Sequence, residues 1–235
     1  LVTLGVGREK IASCGNLKAD LAALDAKAHE RGASRAAFGI DAADTVIAVG
    51  SSHHGEELAI VANVRSSAQH TWIFAPRHIE RADRIVSDLA HRGMRAARLS
   101  DIPCAGKRDA IVVDRMGVMG DVYAAADMVI MGKCWRTHGG QNPLEPAAVG
   151  RPVLMGPHME NFAREARGLA TAGCPRMHTL EELHGTVDRL ASNANLRNRI
   201  GQACREYVQS LAGAAPRILD KVKDAIAHRD SRSRR

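Results

Sequence analysis

Five short apolar runs, each closed by a break in the pattern, constrain this chain more than any other feature. They are Thr45-Val-Ile-Ala-Val49, Thr71-Trp-Ile-Phe-Ala75, Ala110-Ile-Val-Val-Asp114, Met128-Val-Ile-Met131 and Pro152-Val-Leu-Met155. None alternates apolar with polar residues. Such runs read as strands buried on both faces, which is what a parallel sheet provides. A weaker run lies near Arg95–Leu99, and Arg176–His178 reads as a last edge strand. Helical patterns fall between and after them, at 56–68, 79–92, 119–126, 144–149, 160–172, 180–192, 195–211 and 216–228. Upstream, Lys10–Asp20 reads as a short strand, a Gly-Asn turn and a helix start, with the helix over 21–31. The alternation predicts an α/β fold with a doubly wound, Rossmann-like parallel sheet. It divides into a lead-in with the first helix (1–40), the sheet domain (41–215) and a C-terminal helix with a basic tail (216–235).

Ligands of such sheets bind beyond the carboxyl ends of the strands. The segments there are Ser51–Gly55, Pro76–His78, Asp114–Gly117 and Gly132–Asn142. Gly139 and Gly140 allow a sharp turn or a close approach to a ligand. Asn142 is a good helix cap and Pro143 suits the first helical position, so a helix over Leu144–Val149 follows, stopped by Gly150. Its N-terminus attracts a phosphate. Glu145, in the first turn, either complements the helix dipole or accepts hydrogen bonds from a sugar hydroxyl. Arg77, after a strand and a proline, suits an anion clamp. Met116-Gly117 offers backbone N–H groups. Ser51-Ser-His-His-Gly-Glu-Glu57 mixes hydroxyls, imidazoles and a helix start, but no third ligand stands at metal spacing, so no metal is assigned. His138 reads as a loop residue bonding near the site.

With 235 residues, the chain suits one large domain or two small ones. Aromatics make up only 3%, so the core must be built from Ala, Val, Leu, Ile and Met. The net charge of +7 suits an anionic partner: nucleic acid, anionic lipid or a phosphorylated ligand. Nucleic acid is set aside, because zinc-finger spacing, an aromatic RNA-binding strand and a recognition helix are all lacking. Part of the charge sits in His228–Arg235, with four arginines, which reads as a disordered tail. Cys14, Cys104, Cys134, Cys174 and Cys204 are odd in number and never form C-x-x-C, which suits reduced, buried thiols in a cytosolic protein. No signal peptide and no membrane-spanning run is evident. The start at Leu1 suggests a piece of a longer protein.

Several motifs together resemble one family. They are Gly15-Asn-Leu-Lys18, Gly50-Ser-Ser-His-His-Gly-Glu-Glu57, Ala75-Pro-Arg-His78, Tyr123-Ala-Ala-Ala-Asp127, Gly139-Gly-Gln-Asn-Pro-Leu-Glu-Pro-Ala-Ala148 and Gly156-Pro-His-Met-Glu-Asn-Phe162. The family is the 3-deoxy-D-manno-octulosonic acid (Kdo) transferases, and the resemblance covers most of 1–175, matching the C-terminal half. It implies the C-terminal, nucleotide-sugar-binding domain of a GT-B glycosyltransferase that moves Kdo from CMP-Kdo to lipid A precursor in lipopolysaccharide biosynthesis. The place implied is the cytoplasmic face of the inner membrane of Gram-negative bacteria, with the enzyme peripheral to the membrane. Pro76, Arg77, Met116, Gly117, Val118, Asn142, Pro143, Leu144 and Glu145 would line the CMP site. Ser52, His53, Glu56, Gly139 and Gly140 are further candidate donor contacts. Lys18 would be the catalytic residue of this half, stabilising transition-state charge. The catalytic base and the contacts with lipid A precursor would lie in an N-terminal domain. No cofactor is implied. Two departures stand out: Met116-Gly-Val-Met119 replaces the usual Met-Gly-Glu-Leu, and Gly132-Lys-Cys134 replaces Gly-Gly-Ser. The rival readings are a GT-B enzyme using another nucleotide sugar, a non-catalytic nucleotide-binding module, and a membrane or nucleic-acid binder led by the tail.

Overall fold

A computed structural model describes residues 2–64, 70–102 and 107–233, with side chains through residue 226. Six strands form one all-parallel sheet: β1 (Thr45–Ser52), β2 (His70–Pro76), β3 (Ala96–Arg98), β4 (Ala110–Val112), β5 (Met128–Met131) and β6 (Val153–Leu154). Their order across the sheet is β3-β4-β2-β1-β5-β6. From β1 the chain winds outward through β2, then returns to place β5 on the other side of β1. The order therefore reverses beside β1, where doubly wound sheets open a crevice. The apolar runs are strands because their β-branched side chains fill both faces. Val46, Ile47, Val49, Ile73, Phe74, Val112, Val129 and Ile130 are completely buried.

Helices cover both faces: α1 (Leu17–Asp25), α2 (Arg31–Ala37), α3 (Glu56–Ala62), α4 (Ala82–Ala90), α5 (Met119–Ala125), α6 (Leu144–Ala148), α7 (Ala163–Thr171), α8 (Glu182–Ala191), α9 (Ala194–Leu211) and α10 (Ala214–Ser233). The expected single helix over 21–31 is two. Asn16 caps α1 through Lys18 N–H, four residues before the expected start, and the Glu30 side chain caps α2 through Ala33 N–H. The short strand expected after Lys10 is not formed; Arg8–Lys10 is a 3-10 turn. The expected edge strand at Arg176 is reduced to one parallel bridge with Met155. Helices expected from 79 and 160 open as 3-10 turns, Ile79–Arg81 and Glu160–Phe162. Of the tail read as disordered, residues 228–233 continue α10, and residues 234 and 235 lie outside the described residues. Cys134, Cys174 and Cys204 are buried free thiols and Cys14 is a partly exposed one; Cys104 lies outside the described residues.

The N-terminal helices are fastened to the sheet by charge. Asp127, just before β5, accepts hydrogen bonds from Arg31 and Arg35, each at 2.7 Å, and from Val46 N–H at 2.8 Å. Arg35 is itself buried and also donates to Ala125 O and Asp44 O. Burial alone would raise the Asp127 carboxyl, but Val46 N–H and the two guanidiniums outweigh it and hold the group below its ordinary value. A carboxyl with a depressed folded pKa stabilises the fold at every pH above its unfolded value. That contribution disappears as the pH falls through the folded one. Replacing Asp127 by Ala strands the Arg35 guanidinium, so urea unfolding should show a loss of about 3–5 kcal/mol. Asp127→Asn should flatten the acid-side decline of stability seen in the parent.

Candidate functional site

At the carboxyl edge of the sheet two neighbouring loops are held in unusual conformations. Ser51 (φ 55°) and Lys133 (φ 58°) are the non-glycine residues with positive φ among the described residues. Ser51 sits at a register shift in the β1–β2 ladder, between the Gly50–Ala75 and Ser52–Pro76 pairs. Strained backbone of this kind collects at functional sites. Between the loops lies Glu56, 1% exposed. Its Oε2 accepts from His53 N–H and Lys133 N–H, both at 2.8 Å, and its Oε1 accepts from Trp135 N–H at 3.5 Å. Burial raises this carboxyl, and the backbone donors oppose the rise. Glu57 is equally buried, bonding Ser52 Oγ at 2.7 Å and Arg81 at 2.9 Å. The side chains of Ser52 and Glu56 thus hold the loops together from inside and present nothing to a ligand.

Above these two carboxylates stands an arc of basic side chains. Burial lowers the His53 pKa, and the charges of Lys133, His78, Arg81 and Arg77 lower it further, in that order. Gln141 Nε2 lies 3.1 Å from His53 Nε2, which suits a neutral imidazole accepting from the amide. His78 meets the same ring edge-on at 6.0 Å. Arg77 is exposed, with its N–H fixed to Ser52 O at 2.9 Å, and Pro76 is the buried end of β2. The predicted residues His53 and Arg77 are thereby brought together. Arg81, Lys133 and Gln141 complete the arc, although none was among the expected site residues. Arg81 follows Arg77 by four residues, the one sequence signal that could have found it.

A second group lies on α6. Asn142 Oδ1 accepts from Leu144 N–H at 3.2 Å, while its Nδ2 donates to Glu145 Oε1 at 2.9 Å. Pro143, not Asn142, is the residue preceding the helix, so the cap acts from one position further back. Pro143 and Leu144 are buried. Burial raises the Glu145 carboxyl; the Asn142 amide lowers it, Asp25 raises it and Lys18 lowers it. Lys18 is exposed on α1, which packs on α6, and its Nζ stands 4.7 Å from the Phe162 ring centroid. Glu145 also helps burial to raise the hydroxyl of Tyr123, which bonds Ser51 at the end of β1, so α6 reaches the same edge. Met116, Gly117 (φ 83°) and Val118 form the turn after β4, with Met116 73% exposed. Gly139 and Gly140 are glycines for a packing reason. Both have positive φ, and an added Cβ would meet Asn161 Nδ2 or Met159 Sδ at 2.7 Å. His138 is a loop residue paired with Glu160 beside His158, and these three residues have the donor atoms of a metal site. A separate cavity of about 640 Å³ between α1, α6 and α9 is remote from this edge; its Arg151 and Arg205 donate to backbone carbonyls.

No protein-family model matches the chain. Over 227 residues it is 32% identical to the 3-deoxy-D-manno-octulosonic acid transferase of Bordetella pertussis, covering 89% of this chain and 50% of that one. The chain is similar in sequence to the Kdo transferases. The Kdo transferase of Haemophilus influenzae is 29% identical over 228 residues, covering 94% of this chain and 53% of its own length. The chain thus spans about half the length of the curated Kdo transferases it matches. In structure it is similar to the C-terminal CMP-Kdo binding domain of WaaA from Acinetobacter baumannii. The TM-score is 0.68 at 18% identity, over 79% of this chain and 98% of that domain. Anabaena HepE, solved with UDP, follows at a TM-score of 0.59 and 12% identity, over 87% of this chain and 55% of that one. These likenesses establish a shared fold, a doubly wound parallel sheet flanked by helices.

The basic arc makes a direct prediction. In a proton NMR titration, His53 should titrate below an ordinary histidine, and a phosphate seated among Arg77, Arg81 and Lys133 should move its midpoint upward. A midpoint that CMP leaves unmoved would place the phosphate elsewhere.

Proposed function

We propose that this chain is the donor-binding half of an inverting Kdo transferase, taking CMP-Kdo and passing Kdo to lipid A precursor. Its similarity to Kdo transferases supplies the substrate class. The observation that carries the reading is the arc of Arg77, His78, Arg81 and Lys133 around a neutral His53, at the crevice beside β1. The division into a lead-in (1–40), a nucleotide-sugar-binding unit (41–215) and a C-terminal helix (216–235) belongs to this reading, as does a place at the cytoplasmic face of the bacterial inner membrane. Among the described residues no helix is long and apolar enough to cross a membrane, which accords with peripheral attachment.

In the reaction an acceptor hydroxyl attacks the anomeric carbon of Kdo while the bond to the CMP phosphate breaks. Negative charge grows on the departing phosphate oxygen, and fixed cations that meet it lower the barrier. Helix α6 has five residues and its Leu144 N–H is already taken by Asn142. Its dipole is therefore small, and the phosphate is assigned to Arg77 and the arc around it. Lys18 approaches from α1, beside Glu145, as the further cation of the transition state. Pro76 and the turn Met116–Val118 border the nucleotide, and Asn142, Pro143 and Leu144 set Glu145 against the ribose. Gly139 and Gly140 shape the loop that carries them. The base that activates the acceptor hydroxyl, and the surface for lipid A precursor, belong to the other half of the enzyme.

Glu145 tests the assignment. Carboxylate hydrogen bonds to ribose hydroxyls contribute roughly 1.5–3 kcal/mol. The 235-residue chain should bind CMP in preference to UMP and UDP in calorimetric titrations, and Glu145→Gln should weaken CMP by about tenfold or more. Affinity for 2′,3′-dideoxy-CMP should hardly differ between mutant and parent. Equal CMP affinity in both proteins would reduce Glu145 to a helix-dipole residue, and absence of CMP binding by the parent would overturn the reading itself.

A further inference from the structure

We propose that His138, His158 and Glu160 form a binding site for one divalent transition-metal ion of the zinc type. The site lies on the loop that carries Gly139–Asn142 toward the sheet edge. The two imidazoles come from different segments and converge on one oxygen: Glu160 Oε1 is 3.1 Å from His138 Nδ1 and 3.3 Å from His158 Nδ1. All three donor atoms lie within 4.8 Å of one another. A zinc ion holds imidazole nitrogen and carboxylate oxygen at about 2.0–2.2 Å, so the edges of its tetrahedron measure roughly 3.3–3.5 Å. Two of the three ligand edges therefore already have about the length that coordination needs.

The ligands are also held in place without the ion. Asn161 N–H donates to Gly139 O at 3.0 Å, His158 N–H to Cys134 O at 3.2 Å and Gly140 N–H to Lys133 O at 2.9 Å. The first two bonds fix segment 156–162 against loop 132–142 and the third closes the loop on itself, with Gly139 and Gly140 supplying the positive φ its turn needs. Gly139 N–H donates to Glu160 Oε2 at 2.7 Å, leaving Oε1 for the ion and orienting the carboxylate as outer-shell partners do at metal sites. Two imidazoles and a carboxylate suit zinc, with a fourth position for water. His138 is 77% and Glu160 52% exposed, so that position faces solvent. The bland role for the three side chains is a surface hydrogen-bond clip, which at this exposure stabilises little. An ion would cross-link the two segments and stiffen the loop, whether or not the chain binds CMP.

The test uses the full chain, stripped with chelator, with accessible thiols alkylated because Cys14 is partly exposed. Cobalt(II) should bind as one ion per chain and give the visible absorption of tetrahedral coordination, and zinc should displace it. His138→Ala and Glu160→Gln should each weaken zinc by about tenfold or more. His91→Ala, a control on the exposed end of α4, should not change it. Zinc should raise the melting temperature of the parent and of His91→Ala but not of the other two variants, which shows folding and binding in one measurement. Unchanged zinc affinity in His138→Ala or Glu160→Gln, or no binding by the parent at millimolar zinc, overturns the proposal.

Discussion

The buried carboxylate of Glu56 is the interaction on which the site depends. A parallel sheet delivers its strand ends to one edge but does nothing to align the loops that leave them. Glu56 does so by accepting N–H groups from both the β1–α3 loop and the β5–α6 loop. Those loops flank the point where the strand order reverses, so the residue ties together the two walls of the crevice. It also makes the basic arc tolerable. Arg77, Arg81 and Lys133 repel one another, and the two buried carboxylates beneath them, Glu56 and Glu57, supply compensating negative charge, Glu57 by direct pairing with Arg81. The result is a layered arrangement, with carboxylates inside and basic side chains at the surface.

The lead-in belongs to the same construction. Asn16 reaches Glu165 on α7, and the Asp20 carboxylate accepts from Gly213 N–H and Ala215 N–H at the start of α10. Helix α1 is therefore clamped between the far end of the chain and α6, which places Lys18 beside Glu145. Asp127 fastens α2 from the opposite end of the sheet. Helices that are remote in sequence from the strands are positioned by single polar contacts, with small alanine-rich faces packing between them.

The strands were legible because each is a run of β-branched or aromatic residues too apolar for any surface. Their ends were legible because glycine and proline interrupt them. The division between α1 and α2 was not, since Glu30 is an uncommon cap and nothing in the pattern announces it. The tail was misjudged from its charge, which an amphipathic helix such as α10 carries equally well. At the site, Arg77 could be picked out from its place after a strand and a proline. Ser52 and Glu56 carry ligand-type groups at the right edge, but a residue's side of the loop is set by packing, and both turn inward. Lys133 and Gln141 join the arc only through the contact of two loops that sequence spacing does not reveal. The cluster of His138, His158 and Glu160 was hidden for the same reason: twenty residues separate its imidazoles.

Lys133 holds a left-handed backbone, which costs a residue with a side chain roughly 1–2 kcal/mol and costs glycine almost nothing. Glycine is the residue that the resemblance to Kdo transferases leads one to expect there. Relaxing the loop and charging the crevice are therefore opposing demands on one position, and this chain answers in favour of charge. Among proteins that share this fold, the identity of that single residue should track how positive this wall of the crevice is.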